Sequence, residues 1–314
     1  MFFISQAFAQ TFMPVQGSTF AGQVDALYEF LVIASLISCI LVIGGMVYFA
    51  YKYRRKTDTD KTAYIAHNTT LEFLWSFIPF VIFMIVFGWS WYIYHHMRTM
   101  PKDALEIHVT GQKWYWDFQY KSGKKTSGEL YAPLGKPVKL IMKSNDVIHS
   151  FFIPSFRVKQ DVVPGRYTAL WFEATQAGTF QVFCTEYCGD QHSAMLAKLH
   201  VLPEAEFDLW LQENPYKGLD MVQIGEKVFS QKCTACHNAT TEKKVGPGLA
   251  AIFGATHQFE DGSEQTVDEN YLRESILNPA AKIVKGYPNA MTPFQGQISE
   301  EELTGVIEYL KGLK

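Results

Sequence analysis

The chain has 314 residues, which is enough for two or three domains. Its formal net charge of −3 does not favour nucleic-acid binding, because basic residues cluster only in the short run at residues 52–61. Hydrophobic residues make up 48% of the whole, but they crowd into the first third, while Lys, Asp, Glu and Gly dominate the rest. This split predicts an apolar N-terminal part followed by polar domains.

Residues 1–20 are predicted to precede the first domain. Their opening, MFFISQAFAQ, is apolar and ends in the A-x-A pattern of Ala7 and Ala9, which is typical of a signal peptide cleaved before Gln10. The run lacks the basic residues that usually begin such a peptide. The alternative is an uncleaved N-terminus that lies outside the cytoplasm.

Residues 21–103 are predicted to form a transmembrane hairpin. Two runs within them, residues 30–51 and 73–94, contain no charged residue. At about 1.5 Å per residue, each run is long enough to cross a hydrocarbon core of about 30 Å. The loop between them is basic, and the positive-inside rule places it in the cytoplasm. Both termini should therefore lie outside. A buried globular hairpin is the alternative, but neither run has a polar face.

Residues 104–203 are predicted to form an all-β domain. Short apolar or alternating runs are separated by Gly, Pro and Asn, which is typical of the strands of a sandwich or barrel. The runs are LEIHV, WYWDFQY, VKLIM, YTALWF, FQVF and AKLHV. Trp114 and Trp116 should share one face of their strand, since successive strand residues alternate between faces.

The segment CTEYCGDQHSAM, residues 184–195, predicts a metal site. Its two thiols, imidazole and thioether fall within twelve residues, and a second imidazole lies upstream in DVIHSFFIP. Thiolate and thioether ligands select copper. A zinc site or a disulfide remains an alternative, although zinc would leave the methionine unused. The candidate ligands are His149, Cys184, Cys188, His192 and Met195.

The remaining residues are predicted to form a helix and linker, 204–218, and a further domain, 219–314. In KCTACHN, Cys233 and Cys236 can form thioethers to haem vinyl groups, and the adjacent His237 can bind the iron. A zinc site or a chance match is the alternative. The final segment, ISEEELTGVIEYLKGL, has the pattern of an amphipathic helix.

Together these motifs resemble subunit II of the haem-copper cytochrome c oxidases, over nearly everything after residue 20. The resemblance implies a two-helix transmembrane hairpin, a cupredoxin-like all-β domain and an all-α class I cytochrome c domain. It also implies a binuclear copper centre, CuA, bridged by two thiolates. By position its ligands are His149, Cys184, Cys188, His192, Met195 and the carbonyl of Glu186.

The resemblance assigns further roles to single residues. The Glu186 side chain would reach a magnesium or manganese site shared with subunit I. Met291 would be the second axial ligand of haem c, opposite His237, with His257 as the competitor. Trp114 would be an exposed ring that accepts electrons from a cytochrome c.

Two carboxylates each have a structural and a functional interpretation. Glu72 precedes Trp75 in LEFLW, the family's pattern at the cytoplasmic mouth of a proton path, but it could equally be an ordinary helix-start carboxylate. Asp161 matches a carboxylate at the interface with subunit I, with Arg166 as its neighbour, and a plain turn is the alternative.

The function implied is that of the electron-accepting subunit of a caa-type oxidase. Electrons would pass from cytochrome c through haem c and CuA to the haem of subunit I, where oxygen is reduced and protons are pumped. The partners would be subunits I and III, cytochrome c and the lipid of a bacterial-type inner membrane, with both domains on the periplasmic side. The alternatives are a CuA subunit of another respiratory reductase and a membrane-anchored copper-binding or delivery protein.

Overall fold

The computed structural model describes residues 13–61, 64 and 66–314. The predicted cleavage site after Ala9 lies outside these residues. The described helices are α1 Ala21–Lys52, α2 Thr69–Arg98, α3 Glu204–Gln212, α4 Met221–Lys232, α5 Glu269–Leu277 and α6 Glu300–Gly312. The described strands are β1 Leu105–Gln112, β2 Tyr115–Tyr120, β3 Lys125–Ser127, β4 Glu129–Pro133, β5 Pro137–Ser144, β6 His149–Ile153, β7 Val158–Val162, β8 Thr168–Glu173, β9 Gly178–Cys184, β10 Leu196–Leu202, β11 Thr256–Gln258 and β12 Glu264–Thr266.

The first two helices, α1 and α2, are both long and apolar enough to cross a membrane. Their mean hydropathy reaches 2.7 and 2.1, and none of the residues in these most apolar stretches is buried within the chain. At about 1.5 Å per residue they measure roughly 48 and 45 Å, which exceeds the hydrocarbon core. Helix α2 runs through Pro79 without ending there. The apolar surfaces of both helices are thus largely uncovered by the rest of the chain that the structure describes.

The start of α1 is joined to the β domain by a buried ion pair. The Arg157 guanidinium donates from Nε and Nη2 to the two carboxylate oxygens of Asp25, over 2.8 and 2.9 Å. Its other N–H groups donate to the carbonyls of Pro14 and Pro154. A bidentate pair of this kind fixes direction as well as distance. The first membrane helix and the β domain therefore hold a defined orientation.

Residues 105–202 form a sandwich of two five-stranded sheets. One sheet has the order β3-β2-β1-β5-β8 and the other β4-β10-β9-β6-β7. β1 pairs with β5 in parallel, and β4 with β10, while the remaining pairs are antiparallel. Alternate residues point inward, so side chains such as Trp116, Phe118 and Leu140 fill the core between the sheets. The cupredoxin-like β fold that the sequence predicted is confirmed.

Helix α3 packs against the β domain. Trp210 stacks on Tyr131 with 4.1 Å between ring centroids, and the Lys124 ammonium lies 3.9 Å from the Trp210 ring centroid. Lys124 also donates to the carbonyls of Trp210 and Glu213, at the C-terminal end of the helix, where a cation is favourable. Only residues 213–220 separate this anchored helix from α4.

The C-terminal domain is built on the crossing of α4 and α6. A Cβ on Gly225 would lie 1.9 Å from the carbonyl oxygen of Gly305, so only glycine allows this close approach. Both helices begin with a capping box, at Asp220 and Ser299. A separate core forms around them, with Val228, Ile307 and other apolar residues. The predicted helical C-terminal domain is confirmed.

Candidate functional site

The predicted metal ligands meet in the loop between β9 and β10. Cys184 ends β9, and the sulfur of Cys188 lies 3.9 Å from its sulfur. The Cys188 sulfur is also 3.4 Å from His192 Nδ1 and 3.7 Å from Met195 Sδ. The Cys184 sulfur is 3.4 Å from the Glu186 carbonyl oxygen. One loop thus brings its two sulfurs together and places three further candidate ligand atoms within 3.7 Å of one or the other.

The sixth candidate, His149, comes from the start of β6. Its Nδ1 lies 4.0 Å from the Cys184 sulfur, while its Nε2 is 2.7 Å from Asp146 Oδ1. Asp146 also accepts hydrogen bonds from the backbone N–H groups of Lys113 and Val147. Burial alone would raise the pKa of Asp146, but these hydrogen bonds hold it below its usual value. The carboxylate therefore stays ionised and directs Nδ1 towards the thiols, as carboxylates behind metal-binding histidines do.

The two thiols lie close enough for each to influence the ionisation of the other. The hydrogen bond from Cys188 lowers the pKa of Cys184 below its usual value. The same hydrogen bond, together with burial, raises the pKa of Cys188. The pair therefore loses one proton readily and keeps the other, because a second thiolate beside the first is unfavourable unless a positive ion balances it. Two buried thiols, two imidazoles and a thioether fit copper.

The C-x-x-C-H motif lies at the mouth of an apolar cavity in the C-terminal domain. The cavity holds about 1030 Å³, including the space open to solvent, and Cys233, Cys236 and His237 line one side. His237 Nδ1 donates to the carbonyl of Pro247 over 2.8 Å, which leaves Nε2 free to bind iron. A Cβ on Gly246 would lie 2.4 Å from the His237 ring. The cavity and the oriented imidazole fit a haem.

Both candidates for the second axial ligand line this cavity. Met291 is partly buried on the side formed by residues 287–291. His257 is placed in the small β11–β12 hairpin, and its Nδ1 lies 3.3 Å from the Tyr271 hydroxyl. The assignment of Met291 remains a prediction.

The structure corrects the expected exposure of Trp114. The residue lies outside the strand, in the turn between β1 and β2, and it is only 7% exposed. Its Nε1 donates to the carbonyl of Cys188 over 3.2 Å, and the ring lies against Gly189. The prediction assumed that Trp114 and Trp116 lie on one strand, where side chains alternate between faces, but Trp114 belongs to the turn. The predicted role of Trp114 in accepting electrons stays a prediction.

Glu72 lies in the first turn of α2, far along the chain from the other candidates. Its Oε1 accepts a hydrogen bond from the backbone N–H of Asn68 over 3.1 Å, while Asn68 Oδ1 accepts from Leu71 N. Both contacts satisfy backbone groups at the helix start. Glu72 thus acts as a helix-start carboxylate, which is the structural alternative that the sequence had left open.

Asp146 is the residue that sequence reasoning missed. Asp146 stands three residues before His149, in NDVIH. A carboxylate that orients a metal-binding histidine can be recognised only when one ring nitrogen is known to face the carboxylate and the other the metal. Asp161, by contrast, was singled out, and its Oδ1 accepts from the hydroxyl of Ser150, which neighbours His149.

Three family models match the chain in the order that the sequence predicted. Cytochrome C oxidase subunit II, transmembrane domain, matches residues 6–93. Cytochrome C oxidase subunit II, periplasmic domain, matches residues 124–201. Cytochrome C oxidase, cbb3-type, subunit III, matches residues 220–310. These matches support a membrane anchor with an outer copper-binding domain and a haem c domain.

Named relatives agree with these matches. Cytochrome c oxidase subunit 2 of Alkalihalophilus pseudofirmus is 29% identical, over 90% of this chain and 85% of the relative. The alternative cytochrome c oxidase subunit 2 of Bradyrhizobium diazoefficiens is 32% identical, over 57% of this chain and 76% of the relative. A crystal structure of the periplasmic domain of subunit II of cytochrome oxidase from Bradyrhizobium japonicum is 33% identical, covers 36% of this chain and 95% of that one, and has a TM-score of 0.35. The chain belongs to the cytochrome c oxidase subunit 2 family and carries a cytochrome c domain at its C-terminal end.

Proposed function

We propose that this chain is the electron-accepting subunit of a caa-type oxidase, in which electrons pass from cytochrome c through haem c and a binuclear CuA centre to the haem of subunit I. The observation that carries the proposal is that one chain holds two candidate ligand sets, with the neighbouring residues Trp114 and Tyr115 in contact with the copper loop and the C-terminal domain respectively. When bound, haem iron and copper supply one-electron redox chemistry. The protein's residues hold these groups and set the path between them.

The copper loop would suit a binuclear centre because its two sulfurs lie close enough together to hold two coppers between them. Cys184 and Cys188 lie 3.9 Å apart, and each has its own imidazole within 4.0 Å, His149 and His192 respectively. The Glu186 carbonyl approaches one sulfur and the Met195 thioether approaches the other. A single tetrahedral zinc would use only four ligands. The exposed Glu186 side chain is free to reach a magnesium or manganese ion shared with subunit I.

The residues between the two ligand sets form a short bridge. Trp114 is hydrogen bonded to the backbone of Cys188, and Tyr115 beside it touches the C-terminal domain through Phe294. Ala235 and Cys236, in the haem-binding motif, pack against the apolar core of the β domain. Electrons would therefore leave the haem domain on the side that carries Cys236 and reach the copper loop through Trp114.

The membrane hairpin would place the basic loop in the cytoplasm and both redox domains on the periplasmic side. Glu72, in the first turn of α2, would lie at the cytoplasmic end in this orientation, where it would admit protons to a path in subunit I. The apolar sides of α1 and α2 would pack against oxidase subunits and lipid. Oxygen reduction and proton pumping would take place in those subunits, since the ligand sets described here hold electron carriers.

Elemental analysis of the complex, purified in mild detergent, tests the copper assignment. We expect two coppers and one haem c for each copy of this chain. Cys188→Ser should abolish the near-infrared absorption of the binuclear centre, because it removes a bridging sulfur. Cys39→Ser, at an exposed position on α1, is the control and should leave copper unchanged. Zinc in place of copper, or one copper without a near-infrared band, would contradict the proposal and favour a simpler metal-binding protein.

A further inference from the structure

The haem domain is held against the β domain by specific contacts. The ring of Tyr115 stacks on Phe294, with 6.2 Å between centroids and 9° between planes. The Tyr115 hydroxyl lies 3.1 Å from Gln297 Oε1, to which it donates. Lys232 Nζ lies 2.6 Å from Asp117 Oδ1 and 5.0 Å from the Tyr115 ring centroid. A stack, a hydrogen bond, an ion pair and a cation–π contact thus meet at two residues of β2.

These contacts are shielded from solvent. Tyr115 is 5% exposed, the Lys232 side chain 8% and the Asp117 side chain 24%. An exposed ion pair would contribute little to stability. When one partner of a buried pair is removed, however, the other charge is left without compensation, which is costly. Removing either charge should therefore weaken the contact between the domains.

The contacts lie directly beside both ligand sets. Tyr115 follows Trp114, whose indole is bonded to the carbonyl of Cys188. Lys232 precedes Cys233 in the haem-binding motif. Loss of the contacts at Tyr115 and Asp117 would therefore free the haem cysteines to move relative to the copper loop.

We propose that Tyr115 and Asp117 form a docking patch for the haem domain of the same chain, and that the docked domain shields Trp114 from a free cytochrome c. The expected consequence is that electrons are accepted through the haem domain alone while the patch is occupied. This consequence rests on the proposed function. Tyr115, Asp117 and Lys232 are positioning residues, since none of them binds copper or haem.

The linker supports docking to one fixed place. Of the eight residues between α3 and α4, numbers 213–220, several are anchored. At one end of the linker, Lys124 of the β domain donates to the Glu213 carbonyl over 3.0 Å. Further along, the Tyr216 hydroxyl donates to Glu302 of α6 over 2.5 Å, and Lys227 of α4 donates to the Pro215 carbonyl over 3.1 Å. A flexible tether would only raise the effective concentration of the haem domain. An anchored linker and the docking patch together select one orientation.

A charge exchange in the full-length complex tests the patch. Asp117→Lys should repel Lys232, and Lys232→Asp should leave two carboxylates facing each other. Combining the two substitutions should restore the pair with reversed polarity. Glu106→Gln, which removes an ion pair with Lys139 at a more exposed part of the same sheet, is the matched control. Tyr115→Leu removes the stack without changing charge, and provides a second variant if Asp117→Lys fails to assemble.

Two measurements are made on complexes whose copper and haem c spectra match those of the wild type. The first is hydrogen exchange of the peptides that cover residues 113–118 and 232–237. The second is the rate at which haem c passes an electron to copper after rapid reduction by cytochrome c. Each single substitution should speed exchange in both peptides and slow electron transfer by about tenfold, equivalent to about 1.4 kcal/mol. The double substitution should reverse both changes.

The outcomes separate the two proposals. The docking proposal is wrong if each single variant behaves like Glu106→Gln in both measurements. It is also wrong if the double substitution restores neither the slow hydrogen exchange nor the fast electron transfer of the wild type. If the wild type reduces copper before haem c, the proposed relay fails, while hydrogen exchange still reports on docking. If external cytochrome c reduces copper directly only in the single variants, the shielding of Trp114 is supported.

Discussion

At the scale of single residues, the copper loop depends on groups that do not bind the metal. Asp146 is held by His149 and by two backbone N–H groups, so its position is fixed before any metal arrives. Trp114 fixes the Cys188 carbonyl in a similar way, from outside the loop. Ligands that are fixed in advance need little rearrangement when the metal changes its charge.

Asp146→Asn should weaken copper binding although it removes no ligand. The amide keeps the size of the side chain but loses the charge that orients the His149 ring, and the loss of such a partner typically lowers metal affinity about 10- to 100-fold. Competition with a copper chelator, followed through the near-infrared band, measures the change. Asp161→Asn is the control, since Asp161 contacts Ser150 and not the histidine ring. Equal copper retention in both variants would show that Asp146 has no orienting role.

Gly246→Ala should disturb the haem site through His237. The new Cβ would lie 2.4 Å from the imidazole, so the ring would have to move out of line with the Pro247 carbonyl. We expect the thioethers to form but the His237–iron bond to be lost or weakened, which the optical spectrum and the midpoint potential would report. Gly312→Ala, at a position with open space around it, should change neither. An unchanged spectrum in Gly246→Ala would mean that the ring does not bind iron in this orientation.

At the scale of elements, the sequence predicted a helix or strand correctly where one local property was enough to define it. Absence of charge identified both membrane helices, but α1 begins at Ala21, nine residues before the charge-free run. The extra turns include Asp25, whose charge is balanced by Arg157 from the distant β domain. Local patterns do not contain such a long-range contact. The same limit explains the burial of Trp114, whose indole contacts Cys188 and Gly189, more than seventy residues further along the chain.

The start of α2 allows the proposed proton role of Glu72 to be separated from its structural role. Glu72→Gln keeps an oxygen that can accept the hydrogen bond from Asn68 N, so the helix start should survive. It removes the group that can carry a proton. We expect the assembled oxidase to lose most of its turnover while its copper and haem c spectra stay unchanged. Asn68→Ala, which removes the cap but leaves the carboxylate, should lower stability more than turnover. Full turnover of Glu72→Gln at every pH would reduce Glu72 to a capping residue.

At the scale of the whole molecule, the chain is one subunit of an enzyme, cytochrome c oxidase. Its three parts are joined by fixed contacts: the Asp25–Arg157 pair between membrane helix and β domain, helix α3 on the β domain, and the docking patch under the haem domain. A rigid series of this kind would maintain the distances between redox groups while the membrane hairpin holds the chain in the complex.

Truncation after Pro215 separates the haem domain from the rest. The copper site should still assemble, because its candidate ligands lie between His149 and Met195. Helix α3 should stay in place through Trp210. Loss of the haem domain would expose Tyr115 and Asp117, and with them the surface over Trp114. The truncated complex should therefore accept electrons from cytochrome c directly at the copper domain, in a second-order reaction.

Stopped-flow mixing of reduced cytochrome c with both complexes then tests the path of electrons. In the full chain, haem c should be reduced first, and its oxidation by copper should not depend on the concentration of the complex. The first step should respond to salt, because exposed charges are screened over about 8–10 Å at ordinary ionic strength, whereas the second takes place at a buried contact. Trp114→Phe should slow donor oxidation sharply in the truncated complex, where the ring is the accepting surface. The tethered path is contradicted if copper in the full chain is reduced at the second-order rate of the truncated complex without earlier reduction of haem c.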